Sequence, residues 1–223
     1  MGAGLCGLTT AYLLQKAGYE AIILEARDRI GGRILTSATA GATPLEMGAT
    51  WLGKKHTNLL ALLQELELDI YPQHLGGTAI YEPISTSPPQ LVTLPPNDEP
   101  SYRIKGGTSA LIDALRSSLN TSNIHLGVMV KNVHQRTDKR IDVITQQATF
   151  TADRVIVTLP PYLWQSTIAF EPTLPHELTH SAKHTHTWMG ESIKVGLRYA
   201  EPFWRKADSS GTIFSNVGYP GDV

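Results

Sequence analysis

Cysteine is almost absent from this sequence of 223 residues, because Cys6 is the only one. A single cysteine excludes an internal disulfide, so we expect a reducing, cytoplasmic location. No apolar run approaches the ~20 residues that a membrane-spanning helix needs, and the residues after Met1 do not resemble a secretion signal. The formal net charge of -1 gives no reason to expect nucleic acid or an anionic membrane as a partner.

Charged residues are few, at 17%, and hydrophobic residues make up 41%, which indicates a folded globular protein rather than a disordered one. Runs with helical periodicity predict helices at 5–17, 58–68, 108–119 and 174–184. Short apolar runs predict strands at 21–24, 124–133, 141–150, 154–159, 191–199 and 211–217, and a glycine-rich loop at 26–42. Helices beside apolar strands predict an α/β protein.

A glycine-rich turn opens the first predicted helix. Gly2-Ala3-Gly4-Leu5-Cys6-Gly7 has the G-x-G-x-x-G spacing. Its glycines permit a tight turn, close approach of a pyrophosphate and close packing of helix on strand. Glu25 ends the next predicted strand, where a carboxylate binds ribose hydroxyls. The motif, helix, strand and acid together predict a dinucleotide site.

The run that follows extends this motif. Glu25-Ala26-Arg27-Asp28-Arg29-Ile30-Gly31-Gly32-Arg33 resembles the flavin amine oxidase superfamily, which includes monoamine, polyamine and L-amino-acid oxidases and related desaturases. A solvated basic loop would explain the arginines but not the Gly31-Gly32-Arg33 ending. The resemblance implies FAD as cofactor and a Rossmann-like, doubly wound FAD/NAD(P)-binding domain. It also implies that this domain is interleaved with a small α+β substrate domain.

Further segments resemble the same family. They are Glu46-Met47-Gly48-Ala49-Thr50-Trp51, Ile104-Lys105-Gly106-Gly107, Val128-Met129-Val130, Val155-Ile156-Val157-Thr158-Leu159-Pro160 and Glu201-Pro202-Phe203-Trp204-Arg205. The resemblance implies a set of cofactor-binding residues drawn from these segments and from the first motif. They are Gly2, Ala3, Gly4, Gly7, Leu8, Glu25, Ala26, Arg27, Gly31, Gly32, Arg33, Gly48, Ala49, Thr50, Trp51 and Val130.

Lys194 is the candidate for chemistry. Residues 192–199 alternate, so Ile193, Val195, Leu197 and Tyr199 share one face of a strand and Lys194 lies on the other. A solvent-facing lysine on a half-buried strand is one interpretation. The resemblance implies another, in which Lys194 holds a water near the flavin N5, where a cation favours the negative charge that develops on oxygen.

The resemblance implies FAD-dependent oxidation of an amine carbon–nitrogen bond to an imine, with oxygen reduced to hydrogen peroxide, in the full-length parent. The partners implied are a small-molecule amine and oxygen, and a homodimer stays open. Two alternatives also stay open. The first is a flavin desaturase or protoporphyrinogen-type oxidase of the same superfamily, and the second is a non-catalytic truncated remnant.

Compared with the family that it resembles, we expect this sequence to lack some parts of a whole member. The glycine motif normally follows a strand, but only Met1 precedes it, and family members continue beyond Val223. We therefore expect an incomplete fold that binds FAD poorly by itself. The predicted cofactor-domain segments are 1–71 and 104–172, and the predicted substrate-domain segments are 72–103 and 173–223.

Histidines follow one another at intervals of four residues in the last predicted helix, at His176, His180 and His184. Histidines at i and i+4 share a helix face and have a spacing that suits zinc ligands. We interpret this set as the polar face of an exposed helix and predict no metal site.

Overall fold

A computed structural model describes residues 1–37, 43–74, 76–84, 86–95, 99–187, 192–205 and 209–216. The helices are α1 (Leu5–Lys16), α2 (Thr57–Glu65), α3 (Ser109–Ser117), α4 (Pro161–Thr167) and α5 (His176–His184). The first seven strands are β1 (Ile23–Leu24), β2 (Thr36–Ser37), β3 (Leu45–Glu46), β4 (Ile70–Pro72), β5 (Thr78–Glu82), β6 (Gln90–Thr93) and β7 (Tyr102–Ile104). The remaining strands are β8 (Ile124–His125), β9 (Val130–Gln135), β10 (Ile141–Thr145), β11 (Thr149–Ala152), β12 (Ala169–Glu171) and β13 (Ser209–Ser215).

The four predicted helices are confirmed as α1, α2, α3 and α5, each with ends that differ by a few residues. Helix α1 ends because Gly18 takes a left-handed conformation (φ +82°), which a glycine adopts at little cost. The short α4 was not predicted. It begins at Pro161, whose fixed φ suits the first turn of a helix.

The glycine-rich turn lies at the end of a parallel strand pair. Strand β1 pairs in parallel with β8, and α1 precedes β1 in the chain. The amide of Gly2 donates to the carbonyl of Leu24 at 2.8 Å, so the turn runs beside the last residue of β1. This arrangement places the start of α1 at the carboxyl end of β1, which is where open α/β sheets bind ligands.

The prediction of one strand over 124–133 is wrong. The segment forms two strands, β8 and β9, which lie in different sheets. The chain turns between them at Gly127, which has φ +69°. The amide of Gly127 donates to the carbonyl of Arg27, and the amide of Val128 donates to the carbonyl of Glu25, both at 2.8 Å. These distant partners direct the turn.

Two other predicted strands also differ from the structure. Residues 141–150 form part of a hairpin, because Thr145 turns the chain between β10 and β11 by accepting the amide of Ala148 at 3.0 Å. Residues 154–159 form no strand. The described backbone bonds of this segment join it to Met1, whose carbonyl accepts the amide of Thr158 at 3.1 Å.

The third sheet joins distant parts of the chain, in the order β13-β5-β6. Strand β13 confirms the predicted strand at 211–217 within the described residues, although it begins earlier and Val217 lies outside them. This sheet brings together strands from the two predicted substrate-domain segments. The domain bounds themselves stay a prediction.

The prediction of a strand at 191–199 is wrong for its described residues. Residues 192–199 lie outside every strand, and Glu191 lies outside the described part of the chain. The alternation of faces nevertheless holds. Ile193 and Val195 are 91% and 74% exposed, whereas Lys194 bonds to the segment after β3. The predicted loop at 26–42 contains β2, and its residues 38–42 are not described.

Two clusters of buried side chains form the core. The larger cluster packs α1, α2 and α3 together, and its largest fully buried side chains are Leu8, Leu63, Leu111 and Leu115. The smaller cluster lies around β9, with Val130, Val133, Val143 and Ile168. Within the described residues, no helix is long and apolar enough to cross a membrane.

Candidate functional site

Glu25 is hydrogen-bonded to the backbone of the glycine-rich turn. It is 8% exposed, and its carboxylate accepts two backbone amides, from Ala3 at 2.8 Å and from Arg27 at 3.0 Å. Each carboxylate oxygen has more than one lone pair, so these bonds leave capacity for further donors. Glu25 thus joins the turn to the segment after β1. It lies at the place where we predict a carboxylate that binds ribose hydroxyls.

The glycines allow two stretches of backbone to approach one another. A Cβ at Gly7 would lie 1.9 Å from the carbonyl oxygen of Gly2, and one at Gly32 would lie 3.1 Å from the Cα of Gly4. The amide of Gly31 donates to the carbonyl of Ala3 at 2.8 Å. Both glycine motifs therefore meet, which no sequence spacing alone requires.

The arginines of the second motif point in different directions. Arg29 turns back onto its own loop, where its guanidinium donates to the carbonyls of Gly32 at 2.9 Å and Ile30 at 3.1 Å. Arg27 is exposed and makes one long bond to the Gly32 carbonyl, at 3.5 Å. Arg33 is exposed and pairs with no acidic side chain in the described part of the chain. Arg27 and Arg33 remain available to an anionic ligand, while Arg29 braces the loop.

The segment 48–51 continues from Arg33. The amide of Ala49 donates to the carbonyl of Arg33 at 3.0 Å, and a Cβ at Gly48 would lie 2.2 Å from that same oxygen. Trp51 is 66% exposed. Of the other predicted cofactor residues, Leu8 is fully buried in the larger core cluster, and Ala26 is exposed.

Val130 lies on the far side of Glu25. It begins β9, is 8% exposed and packs in the smaller core cluster. Its connection to the turn runs through Val128, whose amide donates to the Glu25 carbonyl at 2.8 Å. The structure thus places the start of β9 next to Glu25, with the side chain of Val130 directed into the core.

Lys194 reaches the segment after β3. Its ammonium donates to the Gly48 carbonyl at 2.8 Å and to the Thr50 hydroxyl at 2.6 Å. Burial lowers the pKa of Lys194 below its ordinary value, Glu46 raises this pKa, and Arg103 lowers it, so that the pKa is lowered on balance. The side chain as a whole is exposed, so the desolvation concerns its ammonium end. An ammonium with a lowered pKa can exchange a proton with a ligand more readily than an ordinary lysine.

We did not predict a role for Glu46 as a connecting residue. One oxygen of its carboxylate accepts the Thr108 amide at 2.6 Å, and the other accepts the Thr36 hydroxyl at 2.9 Å. The Thr36 hydroxyl also accepts the Ser109 amide at 2.9 Å. Glu46 therefore caps the start of α3, where a negative charge is favourable. The glycine pair before α3, noted in the sequence, was the available signal.

The histidines of α5 contain a spacing that we overlooked in the sequence. His176-Glu177-Leu178-Thr179-His180 has the H-E-x-x-H order of catalytic zinc helices. Such sites need a third ligand, and no group of three His, Cys, Asp or Glu side chains in the described residues is arranged to hold a metal. The helix is exposed around Glu177, so the motif is not built into a cleft.

The residues around the turn fit a dinucleotide. No side chain caps the start of α1, so its first amides are available to a phosphate. The two glycine motifs keep side chains away from this point, and the Glu25 carboxylate lies beside it. A cavity of about 220 Å³ between the end of α1 and Leu119–Ile124 contains none of the predicted site residues. The predicted site therefore lies outside this cavity.

The glycine-rich turn, Glu25 at the end of β1 and Lys194 together define a class of proteins. This class is the dinucleotide-dependent flavoproteins. Comparison with known proteins narrows the class. The family model described as flavin containing amine oxidoreductase matches residues 5–85 and 85–222. The chain therefore belongs to this family of enzymes, and the predictions of the family and of FAD as its cofactor are confirmed.

Individual relatives are similar over most of this chain. A putrescine oxidase of Kocuria rosea is 25% identical over 321 residues, which cover 96% of this chain and 66% of that protein. A probable polyamine oxidase 4 of Arabidopsis thaliana is 25% identical, covering 96% of this chain and 60% of its own. The chain thus spans less than two thirds of the length of either protein.

A solved structure shows the same fold. Wild-type putrescine oxidase bound to putrescine superposes with a TM-score of 0.78 and 22% identity, covering 96% of this chain and 68% of the other. The mixed arrangement of helices and sheets is therefore that of an amine oxidase. The predicted interleaving of two domains is a finer statement, and it stays a prediction.

Proposed function

We propose that the protein containing this chain oxidises the carbon–nitrogen bond of an amine to an imine, with oxygen as the final electron acceptor and hydrogen peroxide as product. One observation carries the proposal. Hydrogen bonds join the glycine turn to Gly31 and Arg33 to Ala49. A further hydrogen bond joins Thr50 to Lys194, so that a series of contacts runs from the turn to the lysine. An extended cofactor that starts at α1 can follow this track.

Each residue has a role in the proposal. The first amides of α1 bind the pyrophosphate, and Arg27 and Arg33 add positive charge near it. Glu25 binds ribose hydroxyls while it orients the turn. A bound FAD would supply a two-electron acceptor for the amine that oxygen can re-oxidise. Lys194 holds a water and offers positive charge where oxygen becomes negative.

The amine oxidase reaction is favoured over the desaturase and protoporphyrinogen-type alternatives. The relatives that align with 96% of this chain are named putrescine oxidase and polyamine oxidase. We therefore expect an aliphatic amine as substrate, and a cytoplasmic location in keeping with the single cysteine.

Oxygen consumption and peroxide release test this function. Flavin-loaded protein is mixed with putrescine, spermidine, benzylamine, a polyene and a porphyrinogen in parallel. We expect peroxide with at least one amine and none with the last two. Oxidation of the polyene or the porphyrinogen alone would replace the proposal with its alternative, and flavin binding without any oxidation would favour a non-catalytic protein.

Lys194→Met tests the role of the lysine. We expect re-oxidation of reduced flavin by oxygen to slow by about 100-fold, as for the loss of one stabilising donor, while reduction by the amine is little changed. Stopped-flow absorbance separates the two steps. Lys183→Met is the matched control, because Lys183 is an exposed lysine in the last turn of α5. An unchanged oxygen reaction in Lys194→Met removes Lys194 from the mechanism.

A further inference from the structure

Two oxygen atoms hold the Lys194 ammonium against the segment after β3. Besides the bonds from Nζ to the Gly48 carbonyl and the Thr50 hydroxyl, the hydroxyl itself donates to the Gly48 carbonyl at 3.1 Å. The hydroxyl proton is therefore committed to Gly48, and the lone pairs of the Thr50 oxygen face the ammonium. The three groups form a closed triangle.

We infer that Thr50 is a positioning residue, whose hydroxyl, with the Gly48 carbonyl, fixes the Lys194 ammonium and helps to keep it charged. The catalytic use of this contact rests on the proposed function, but the contact itself does not. An ammonium has three N–H donors, and its bonds within the described residues use two of them. The third is free to bind a water or oxygen.

The charged groups around Lys194 make its protonation sensitive to the loss of a single hydrogen-bond acceptor. Two charged groups from neighbouring strands face it, Glu46 at the end of β3 and Arg103 in β7. Burial and Arg103 oppose the charged form, and Glu46 supports it. The Glu46 carboxylate cannot move closer to compensate, because Thr108 and Thr36 hold both of its oxygens. Loss of the Thr50 acceptor should therefore lower the pKa of Lys194 further.

Competitive labelling measures this directly, without flavin or substrate. The intact protein is pulsed with isotopic acetic anhydride across a pH series, and the Lys194 peptide is quantified by mass spectrometry with the Lys183 peptide as internal reference. The midpoint of the labelling curve reports the pKa, because only the neutral amine reacts. We compare wild type with Thr50→Val, which keeps the shape but loses the acceptor, and with Thr50→Ser, which keeps the hydroxyl.

We expect the Lys194 midpoint to move to lower pH in Thr50→Val, with about three- to tenfold faster labelling well below the midpoint, since one pKa unit is a tenfold change in neutral amine. Thr50→Ser should behave like wild type. A role in packing alone would raise the labelling rate at every pH and leave the midpoint in place. An unmoved midpoint in Thr50→Val overturns the inference.

The flavin-loaded protein supplies a second measurement. Since the protonated lysine favours oxygen reduction, re-oxidation should slow as pH rises through the Lys194 pKa, and this decline should begin at lower pH in Thr50→Val. The two proposals can fail separately. A protein that oxidises no amine would end the proposed function but leave the labelling result intact, whereas normal oxidation with an unmoved midpoint would end only the inference about Thr50.

Discussion

Among the glycines in the described part of the chain, Gly7 leaves the least room for a Cβ. It lies in α1, where an alanine would ordinarily stabilise the helix by about 1 kcal/mol. The Cβ of that alanine would lie 1.9 Å from the carbonyl oxygen of Gly2 and 2.9 Å from the Thr158 hydroxyl. The first of these atoms belongs to the backbone of the turn and cannot rotate away. The clash therefore outweighs the gain in helix propensity.

We accordingly expect Gly7→Ala to lower the free energy of unfolding by about 1–3 kcal/mol, the usual cost of overpacking, and to weaken flavin binding. Urea denaturation, and flavin titration of the full-length protein that contains this chain, measure the two effects. Gly53→Ala is the control, because no atom lies within 4 Å of a Cβ there, and its effect should stay within about 0.5 kcal/mol. Equal stability of the two variants would show that the turn can open at no cost.

At the scale of secondary-structure elements, those that depend on local sequence could be predicted, and those that depend on distant contacts could not. Helices α1 and α5 follow from their own side chains and end signals, so the sequence predicted them. The break between β8 and β9 does not, because it depends on bonds from Gly127 and Val128 to Arg27 and Glu25. Such partners lie about a hundred residues away and leave no local pattern.

A small exposed cluster joins α1 to α2. Glu65 accepts the Lys16 ammonium at 2.5 Å and also the Tyr12 hydroxyl. These two donors, Lys16 first, hold the pKa of Glu65 below its ordinary value of 4.5. A carboxyl with a lowered folded-state pKa contributes stability above its unfolded pKa and loses it as pH falls through the folded one. The contribution of the Glu65 carboxylate is therefore lost in acid.

Thermal unfolding of Glu65→Gln tests this sign. At pH 7 we expect the variant to melt below wild type by at most a few degrees, since exposed pairs contribute little. The difference should persist down to about pH 5 and vanish as the pH falls below the folded-state pKa. Glu20→Gln, which removes an exposed carboxylate from the segment after α1, is the control and should show no such change. A difference that grows in acid would contradict the assignment.

At the scale of the whole molecule, apolar side chains remain at the surface. Within residues 192–199, Lys194 bonds to the segment after β3 and Arg198 donates to the carbonyl of Thr43 before β3. Ile193 is 91% exposed and Leu197 is 65% exposed. Exposed apolar side chains that lie close together promote association. Because the side chains of Ile193 and Leu197 are exposed, their contribution to the stability of this fold is small.

The double variant Ile193→Ser, Leu197→Ser should leave the free energy of unfolding within about 0.5 kcal/mol of wild type, because neither side chain is buried. We also expect less light scattering at high protein concentration. Leu115→Ala provides the contrast, since Leu115 is fully buried between the helices and its truncation should cost about 2–5 kcal/mol. A large loss of stability in the double variant would show that these side chains are packed in solution.

The sequence by itself determined the family and identified the glycine turn, Glu25 and Lys194 as candidate parts of the site. Each of these depends on a local run of residues whose backbone or charge has a defined chemical use. Only the tertiary structure decided how these parts meet: that Gly4 lies against Gly31, that Glu46 caps α3, and that Thr50 receives Lys194. Contacts between distant segments depend on how the core packs, and no spacing along the chain encodes them.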